Sequence, residues 1–417
     1  MRFGFLLLLL ILGTVFSNTI PEKVKEKLYQ TAVNYYEKGN YVGALELFNY
    51  LGSFKNSTSY RGRLIEFFTD APSPSIFGNR EPFVRLKAAA DFKEVKVNCP
   101  SGTFSVKVYE KTFHLGGITV KGSLTFNGSG CSLTVDGEKM LMPPRSKVNL
   151  LFYRGKPLLI VRMPLEIYLV GVLPGEVYMS WNDAALKAQA VAARTFALYN
   201  LAKRRNLPYD LDGTTLFQNF VGFKGINPKA EEIVRETRGE VLLFNGKLIY
   251  AMYSANDGGC SHSFEELFGI NLPYLSTTED GKLCNLSNLK RSFWQKGITS
   301  EDLRNFLNSV GLTDFQPITF RVLRNGCGRG LRITFVSTDE REITFPLAFF
   351  VRLSLHLPSD WFYAERKGNG YFALKGKGFG HGLGMSQWGA YCLGEKGWNY
   401  KKILEFFYRG AVVKKIY

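Results

Sequence analysis

Met163–Val177 reads MPLEIYLVGVLPGEV, and beyond Trp181 the chain continues through Ala184–Leu198 as AALKAQAVAARTFAL. The second stretch carries the signals of a helix. Asn182 or Asp183 supplies an N-cap for a helix running to about Ala202. Leu186, Ala190, Ala193 and Ala197 fall on one stripe of it, and an alanine stripe implies a close-packed, buried helix. Gln189 and Arg194 flank that stripe and are expected to point into a cleft beside it. In the first stretch the apolar run Ile167–Leu173 reads as strand-like, with Pro174-Gly175-Glu176 as the loop after it. Glu166 precedes the run and reads as structural. Residues 159–417 are therefore expected to form a mixed α+β domain.

Outward from this centre, Val241–Phe244 and Leu248–Tyr253 predict a hairpin around Asn245-Gly246, a strong two-residue turn. Leu331–Val336 and Arg341–Phe345 suggest another, and Tyr400–Phe407 a terminal amphipathic helix. Upstream, residues 81–158 form a β-rich segment of short runs: Val95–Val97, Thr103–Tyr109, Ile118–Phe126, Ser132–Val135 and Asn149–Tyr153. Alternation along Thr103–Tyr109 fits a strand with one buried face. Residues 71–80, with APSPSIFG at Ala71–Gly78, read as a linker. Residues 20–70 read as a helical hairpin of tetratricopeptide type, with Ala32, Tyr35, Gly39, Tyr41, Ala44 and Phe48 at the matching spacing. One such unit cannot bury its face alone, so it packs on a neighbour or docks a partner. The fold class expected is α+β: helical hairpin, small β-rich segment, then the mixed domain.

Residues 1–17 resemble an export signal: Arg2, then the apolar run Phe5–Val15, then small and polar residues. At about 11 residues the run is short for a membrane span, which takes roughly 20. An uncleaved anchor is the alternative, and would leave the exported protein membrane-associated. Lys and Arg outnumber Asp and Glu by 53 to 36. An exported chain with that balance is drawn to anionic partners. No basic run interleaved with aromatics points to nucleic acid. The six cysteines permit disulfides in an exported chain. Sequence neighbours, Cys99 with Cys131 and Cys260 with Cys284, are the simplest pairing. No HExxH, GxSxG, GxxxxGK[ST] or GxGxxG is present, so the common zinc-protease, hydrolase and nucleotide-binding readings have no support, and no cofactor is implied.

A second long motif is GFGHGLGMSQWGA at Gly378–Ala390. With the stretches quoted first, with Gln218, Phe220 and Gly222, with TRGEVLLFNGKLIYAMYSANDGG at Thr237–Gly259 and with VRLSLHLPSDWF at Val351–Phe362, it makes residues 159–410 resemble the stage II sporulation protein D and amidase enhancer family. The resemblance implies binding to the glycan strands of peptidoglycan outside the cytoplasm. It implies one of two activities: lytic cleavage of the strand, or enhancement of a partner amidase that could dock on the helical hairpin. A purely structural wall protein is a third, weaker reading. Glu176 takes the place of the acid/base in cleaving members. Partial burial against apolar walls would keep its carboxyl protonated; the alternative is that it caps the helix start. His381 could hydrogen-bond a sugar or that carboxyl, or pack as a loop anchor. Ser386 and Gln387 could contact substrate or cap the following helix. Gln189, Arg194 and Gln218 complete the expected glycan contacts. Some members hold zinc where this chain has Asp212, Leu216 and Phe217, and an apolar pair cannot ligate a metal, so no metal is expected. N-terminal sequencing of the exported protein is expected to begin near Asn18; a start that retains Arg2 and the leucine run would establish an anchor.

Overall fold

The computed structural model describes residues 20–214, 217–285, 292–368 and 370–417. The expected export signal lies outside them. Among the described residues no helix is long and apolar enough to cross a membrane. The elements are mixed α+β and fall into two compact units. The first unit takes the residues up to Asp70, Met252–Gly397 and Glu405–Gly410. The second takes Ala71–Ala251, Trp398–Leu404 and Ala411–Tyr417.

The first unit opens with three helices, α1 (Glu22–Lys38), α2 (Tyr41–Leu51) and α3 (Ser57–Thr69), where a two-helix hairpin was expected. Gly39 ends α1 in the left-handed conformation, and the Asn40 side chain caps α2 by accepting from the Gly43 N–H at 3.1 Å. Ala32 and Ala44 are fully buried between the helices. Tyr60 of α3 stacks on Phe48 at 4.7 Å, and that third surface is what the two-helix reading omitted. Almost every side chain of α2 is buried, as expected of a helix packed on all sides. Its polar residue Glu46 accepts hydrogen bonds from the backbone N–H groups of Phe349 and Phe350 at 3.0 and 2.7 Å. Tyr50 bonds the Thr344 carbonyl, and Phe68 packs on Phe264 at 5.0 Å. The rest of the unit holds two three-stranded antiparallel sheets, one of which contains the expected hairpin, Gly330–Ser337 with Glu342–Pro346.

In the second unit, a six-stranded antiparallel sheet spans Glu94–Leu141. A five-stranded sheet pairs Phe83–Ala90 with Lys156–Pro164 at its centre. The run Ile118–Phe126, read as one strand, is two: Gly122 at φ +94° divides it, and the halves join different sheets. Asn245 and Gly246, both at positive φ, close the predicted hairpin. Three helices follow the sheets, α4 (Leu165–Glu176), α5 (Asp183–Lys203) and α6 (Pro228–Glu236). The segment read as a strand and a loop is therefore a helix through to Glu176. A short, wholly apolar run has no polar positions from which a period could be read, so the sequence does not separate the two.

Cys99 bonds Cys131, but Cys260 bonds Cys327 and Cys284 bonds Cys392. The pairing Cys260–Cys284 is thus incorrect. Topology, not sequence proximity, brings these thiols together.

Burial pushes the Glu46 carboxyl up to about 7, against the pull of the two N–H groups it faces. In the unfolded chain it ionises near its ordinary value. The folded protein thus holds this proton through the window from about pH 4.5 to 7, and stability falls as pH rises across it. Urea titrations are expected to show that slope weakened in Glu46→Gln; an unchanged slope would place the titration elsewhere.

Candidate functional site

The carboxyl of Glu176 sits at the last turn of α4, half-buried. Gly171 and Gly175, one turn apart, let the segment after Phe217 lie directly on this helix. A methyl at Gly171 would come 2.3 Å from the Phe220 ring, and one at Gly175 would come 2.1 Å from the Asn219 carbonyl oxygen. The close approach creates a clamp. Asn219 donates its backbone N–H to Glu176 Oε1 at 2.7 Å and its side-chain amide to the Gly175 carbonyl at 2.9 Å. Glu176 does not cap α5; the Asn182 side chain does, accepting from the Ala185 N–H at 3.0 Å. Beside Glu176, Tyr178 is 49% exposed and leans on Trp181 with ring centres 5.8 Å apart.

Behind the clamp lies a buried polar strut. Tyr168 stacks on Phe220 and donates its hydroxyl to Gln218 Oε1 at 3.0 Å, and Gln218 donates to the Ala193 carbonyl of α5 at 3.1 Å. Burial holds the Tyr168 phenol well above its ordinary value, so it stays a donor. Gln218 and Gln189 are buried.

Arg194 does not face a cleft. It is 0% exposed and grips Glu166 through two hydrogen bonds, Nε at 3.0 Å and Nη2 at 2.7 Å. It also donates to the carbonyls of Val234 and Glu240. Glu166 further accepts from the Tyr417 hydroxyl at 2.5 Å. An arginine on a stripe edge has the reach to span to a neighbouring helix, and here it does so. Of the positions that could have held zinc, Asp212 is ion-paired to Lys87, Phe217 is buried, and Leu216 lies outside the described residues.

The remaining expected residues belong to the first unit. Gly378, Gly380, Gly382 and Gly384 all adopt positive φ. Side chains are excluded at two of them most clearly: a methyl on Gly384 would come 1.9 Å from the Met252 carbonyl oxygen, and one on Gly382 would come 2.3 Å from the Arg329 guanidinium. The glycine-rich segment thus lies flat on Met252–His262, and Gly382 accepts from the His262 N–H at 2.7 Å. His381 stacks on Phe349, and its Nδ1 accepts from the Leu383 N–H at 3.0 Å. Burial, with the guanidiniums of Arg352 and Arg329, pushes its pKa down to about 3. The ring is neutral and carries its proton on Nε2. Ser386 is a cap, accepting from the Gly389 N–H at 3.1 Å at the start of the helix Gln387–Glu395, and Gln387 is buried in the first turn of that helix.

His262, which has no sequence context to single it out, is the centre of a buried network. Its Nδ1 meets Glu266 and its Nε2 meets Asp360, each at 2.6 Å, and Arg329 reaches the other Asp360 oxygen at 2.6 Å. Burial alone would lower its pKa, but the facing Asp360 and Glu266 carboxylates outweigh that and raise it. Asn219 and Tyr178 were also missed. An aromatic two residues after the candidate acid was the available signal for Tyr178; nothing in the sequence marks Asn219, which acts through its backbone N–H.

The family described as Stage II sporulation protein matches residues 153–244. An uncharacterized protein of Brachyspira hyodysenteriae is 35% identical over 62% of this chain and 69% of its own length. The Amidase enhancer of Bacillus subtilis is 29% identical over 59% of this chain, which spans only 40% of that larger protein. The Stage II sporulation protein D of Bacillus amyloliquefaciens is 25% identical over 65% of this chain and 80% of its own length. The chain belongs to the stage II sporulation protein D and amidase enhancer family.

The two histidines predict opposite pH behaviour. The stabilisation from His262 is complete below its unfolded value near 6.5 and is lost as pH rises through its higher folded value. That from neutral His381 is complete above about 6.5 and is lost as pH falls toward about 3. A nitrogen-15 NMR pH titration is expected to show one ring titrating above its ordinary value and another that stays neutral, protonated on Nε2 alone, well below pH 6. His381→Asn should reduce the acid sensitivity between those limits. A His381 ring already charged at pH 6 would contradict the assignment.

Proposed function

We propose that this protein is exported, binds the glycan strands of peptidoglycan, and cleaves them as a lytic transglycosylase with Glu176 as its acid/base. The observation that carries this reading is the Asn219 clamp. It holds a half-buried carboxyl in a fixed orientation beside the exposed Tyr178 ring, on which a sugar could lie. One such group suffices for the chemistry. The protonated carboxyl gives its proton to the glycosidic oxygen as the C1–O bond breaks. The resulting carboxylate takes the proton of the sugar's own 6-hydroxyl, whose oxygen bonds to C1 and closes a 1,6-anhydro ring. No water enters and no second protein carboxylate is needed. On this reading Gln189, Arg194 and Gln218 support the site from behind, and His381 offers its Nε2–H to a sugar oxygen. Ser386 and Gln387 hold the helix that follows His381.

A second reading is favoured by the similarity to the Amidase enhancer of Bacillus subtilis. Here the protein binds glycan without cleaving it and stimulates an amidase, with α1–α3 as a candidate docking surface.

Product analysis on purified glycan separates the two. Release of 1,6-anhydro ends by the wild type, lost by about 10²–10⁴-fold in Glu176→Gln with glycan binding retained, is the expected result. Equal release by the variant would defeat the acid/base role. Binding and amidase stimulation without anhydro products would favour the enhancer. Glu166→Gln is unsuitable as a neutral control, because Glu166 is the buried partner of Arg194.

A further inference from the structure

The other three-stranded sheet of the first unit is made of Phe293–Thr299, Tyr371–Lys377 and Phe362–Arg366, with Tyr371–Lys377 in the middle. Alternation along each strand divides the side chains between two faces. Ile298, Phe362, Phe372 and Leu374 point into the core and are buried. The opposite face carries Phe293, Tyr363 and Tyr371, which are 56, 63 and 42% exposed. In register, Lys375 lies between Gln295 and Tyr363, and Lys377 lies beside Phe293.

A single exposed ring needs no explanation. These rings share one face, and two of them are held in place. Tyr371 pairs with Thr299, yet its hydroxyl end rests on Gly297, one row further along the sheet. A methyl at Gly297 would come 2.2 Å from the phenol oxygen and 2.7 Å from two ring carbons. The ring therefore reclines on bare backbone and turns its opposite side to solvent. Tyr363 is braced from the edge by Arg324, whose guanidinium lies 4.9 Å from the ring centre. Arg324 is itself anchored on the carbonyls of Gly328, at 3.0 Å, and Phe362. Among the described residues neither Lys375 nor Lys377 is in a salt bridge, and Lys377 stands 4.1 Å over the Trp361 ring. Glu365, the carboxylate of the three strands, is paired with Lys367.

The chemistry of the face selects its occupant. Aromatic rings present a negative side that attracts C–H groups. A pyranose offers such a C–H face, ringed by hydroxyl and amide groups that Gln295 and Lys375 are placed to bond. A lipid surface takes up protruding apolar side chains; no Leu, Ile or Val faces outward on these strands, and Tyr371 lies flat. Single-stranded nucleic acid also stacks on rings beside cations, but the three disulfides belong to an oxidising compartment outside the cytoplasm. Two ammonium groups without carboxylate partners favour a sugar polymer that carries carboxylates of its own.

We infer that this face binds a carboxylate-bearing polysaccharide, with Tyr363 and Tyr371 stacking on sugar rings and Lys375 and Lys377 meeting the acidic groups. It is a second glycan surface, in the first unit, whereas the Glu176 clamp belongs to the second. It retains the polymer and performs no chemistry. The inference rests on the reading above for one point, that the polymer is peptidoglycan, whose sugars bear lactyl groups or acidic stem peptides. It takes nothing from the cleavage mechanism.

The test uses the full chain carrying Glu176→Gln, so that binding is read without cleavage. The probes are insoluble peptidoglycan and chitin, an uncharged polymer of N-acetylglucosamine, in co-sedimentation. Adding Tyr363→Ser/Tyr371→Ser is expected to weaken binding to both by about tenfold, as loss of two ring contacts implies. Adding Lys375→Gln/Lys377→Gln should weaken binding to peptidoglycan several-fold at low salt and change binding to chitin by no more than about twofold. The control Tyr109→Ser removes an exposed ring from the six-stranded sheet and should change neither by more than about twofold. Should the double tyrosine variant fail to fold, Tyr363→Ser alone is expected to lose about threefold. Unchanged peptidoglycan binding in whichever tyrosine variant folds, or equal loss in Tyr109→Ser, overturns the surface. So does absence of peptidoglycan binding by the parent, or tighter binding of the parent to phosphatidylglycerol vesicles or to an oligothymidine strand. Equal loss on chitin in the lysine variant overturns the role of the carboxylates. The cleavage reading is judged separately, by the anhydro products of the wild type, so either can fail without the other.

Discussion

Arg194 and Glu166 form a wholly buried ion pair, and the second unit is arranged around it. The pair ties the middle of α5 to the first turn of α4, while the remaining guanidinium donors close the carbonyls at Val234 and Glu240. Removing one partner of such a pair typically costs about 3–5 kcal/mol, because the other is left charged and buried. Its importance is geometric as well as energetic. α4 is about 18 Å long at 1.5 Å per residue, and Glu176 lies at the end opposite Glu166. A helix pinned at one end and pressed at Gly171 and Gly175 against Phe220 and Asn219 cannot turn about its axis. The direction of the Glu176 carboxyl is therefore set by packing and hydrogen bonds within the second unit.

The first unit uses buried polarity differently. There the glycine-rich segment packs backbone on backbone, and charge is concentrated beneath it. His262 is held between two carboxylates, while His381, three residues from Gly384 along the same segment, faces two guanidiniums. The carboxylates favour the charged form of one imidazole, and burial with the guanidiniums favours the neutral form of the other. Behind Ser386, burial raises both the Asp257 and Asp280 carboxyls, and the proximity of Asp257 raises Asp280 further. Each of these settings relies on the exclusion of water that the glycines make possible.

What the sequence revealed follows from the range of the interactions involved. The Asn182 cap and the Asn245-Gly246 turn are governed by residues within a few positions, and each was legible. The conformation of α4 was not, because an unbroken apolar run fits a buried strand as well as a buried helix. Arg194 was correctly placed at the edge of the alanine stripe, but its destination depended on Glu166, across the unit. The sheet change at Gly122 and the partners of Cys260 and Cys284 depended on topology in the same way. Glu176 was singled out by resemblance alone; the Asn219 clamp was invisible because it is made by a main-chain N–H, which every non-proline residue possesses.

The interleaving of the two units also has a temporal side. Helices α1–α3 are synthesised well before the rest of the first unit, yet the backbone groups that Glu46 satisfies belong to Phe349 and Phe350. All of Ala71–Ala251 must pass before those residues appear. The second unit can acquire most of its contacts in the interval, while an almost wholly apolar α2 waits without its core. Assembly of the first unit thus requires closing a very long loop, a slow step that leaves a sticky helix exposed. The Cys284–Cys392 bond, spanning 108 residues, can form only near the end of that sequence of events. For a chain of this design, the hazard lies in the delay before maturation rather than in the stability of the finished molecule.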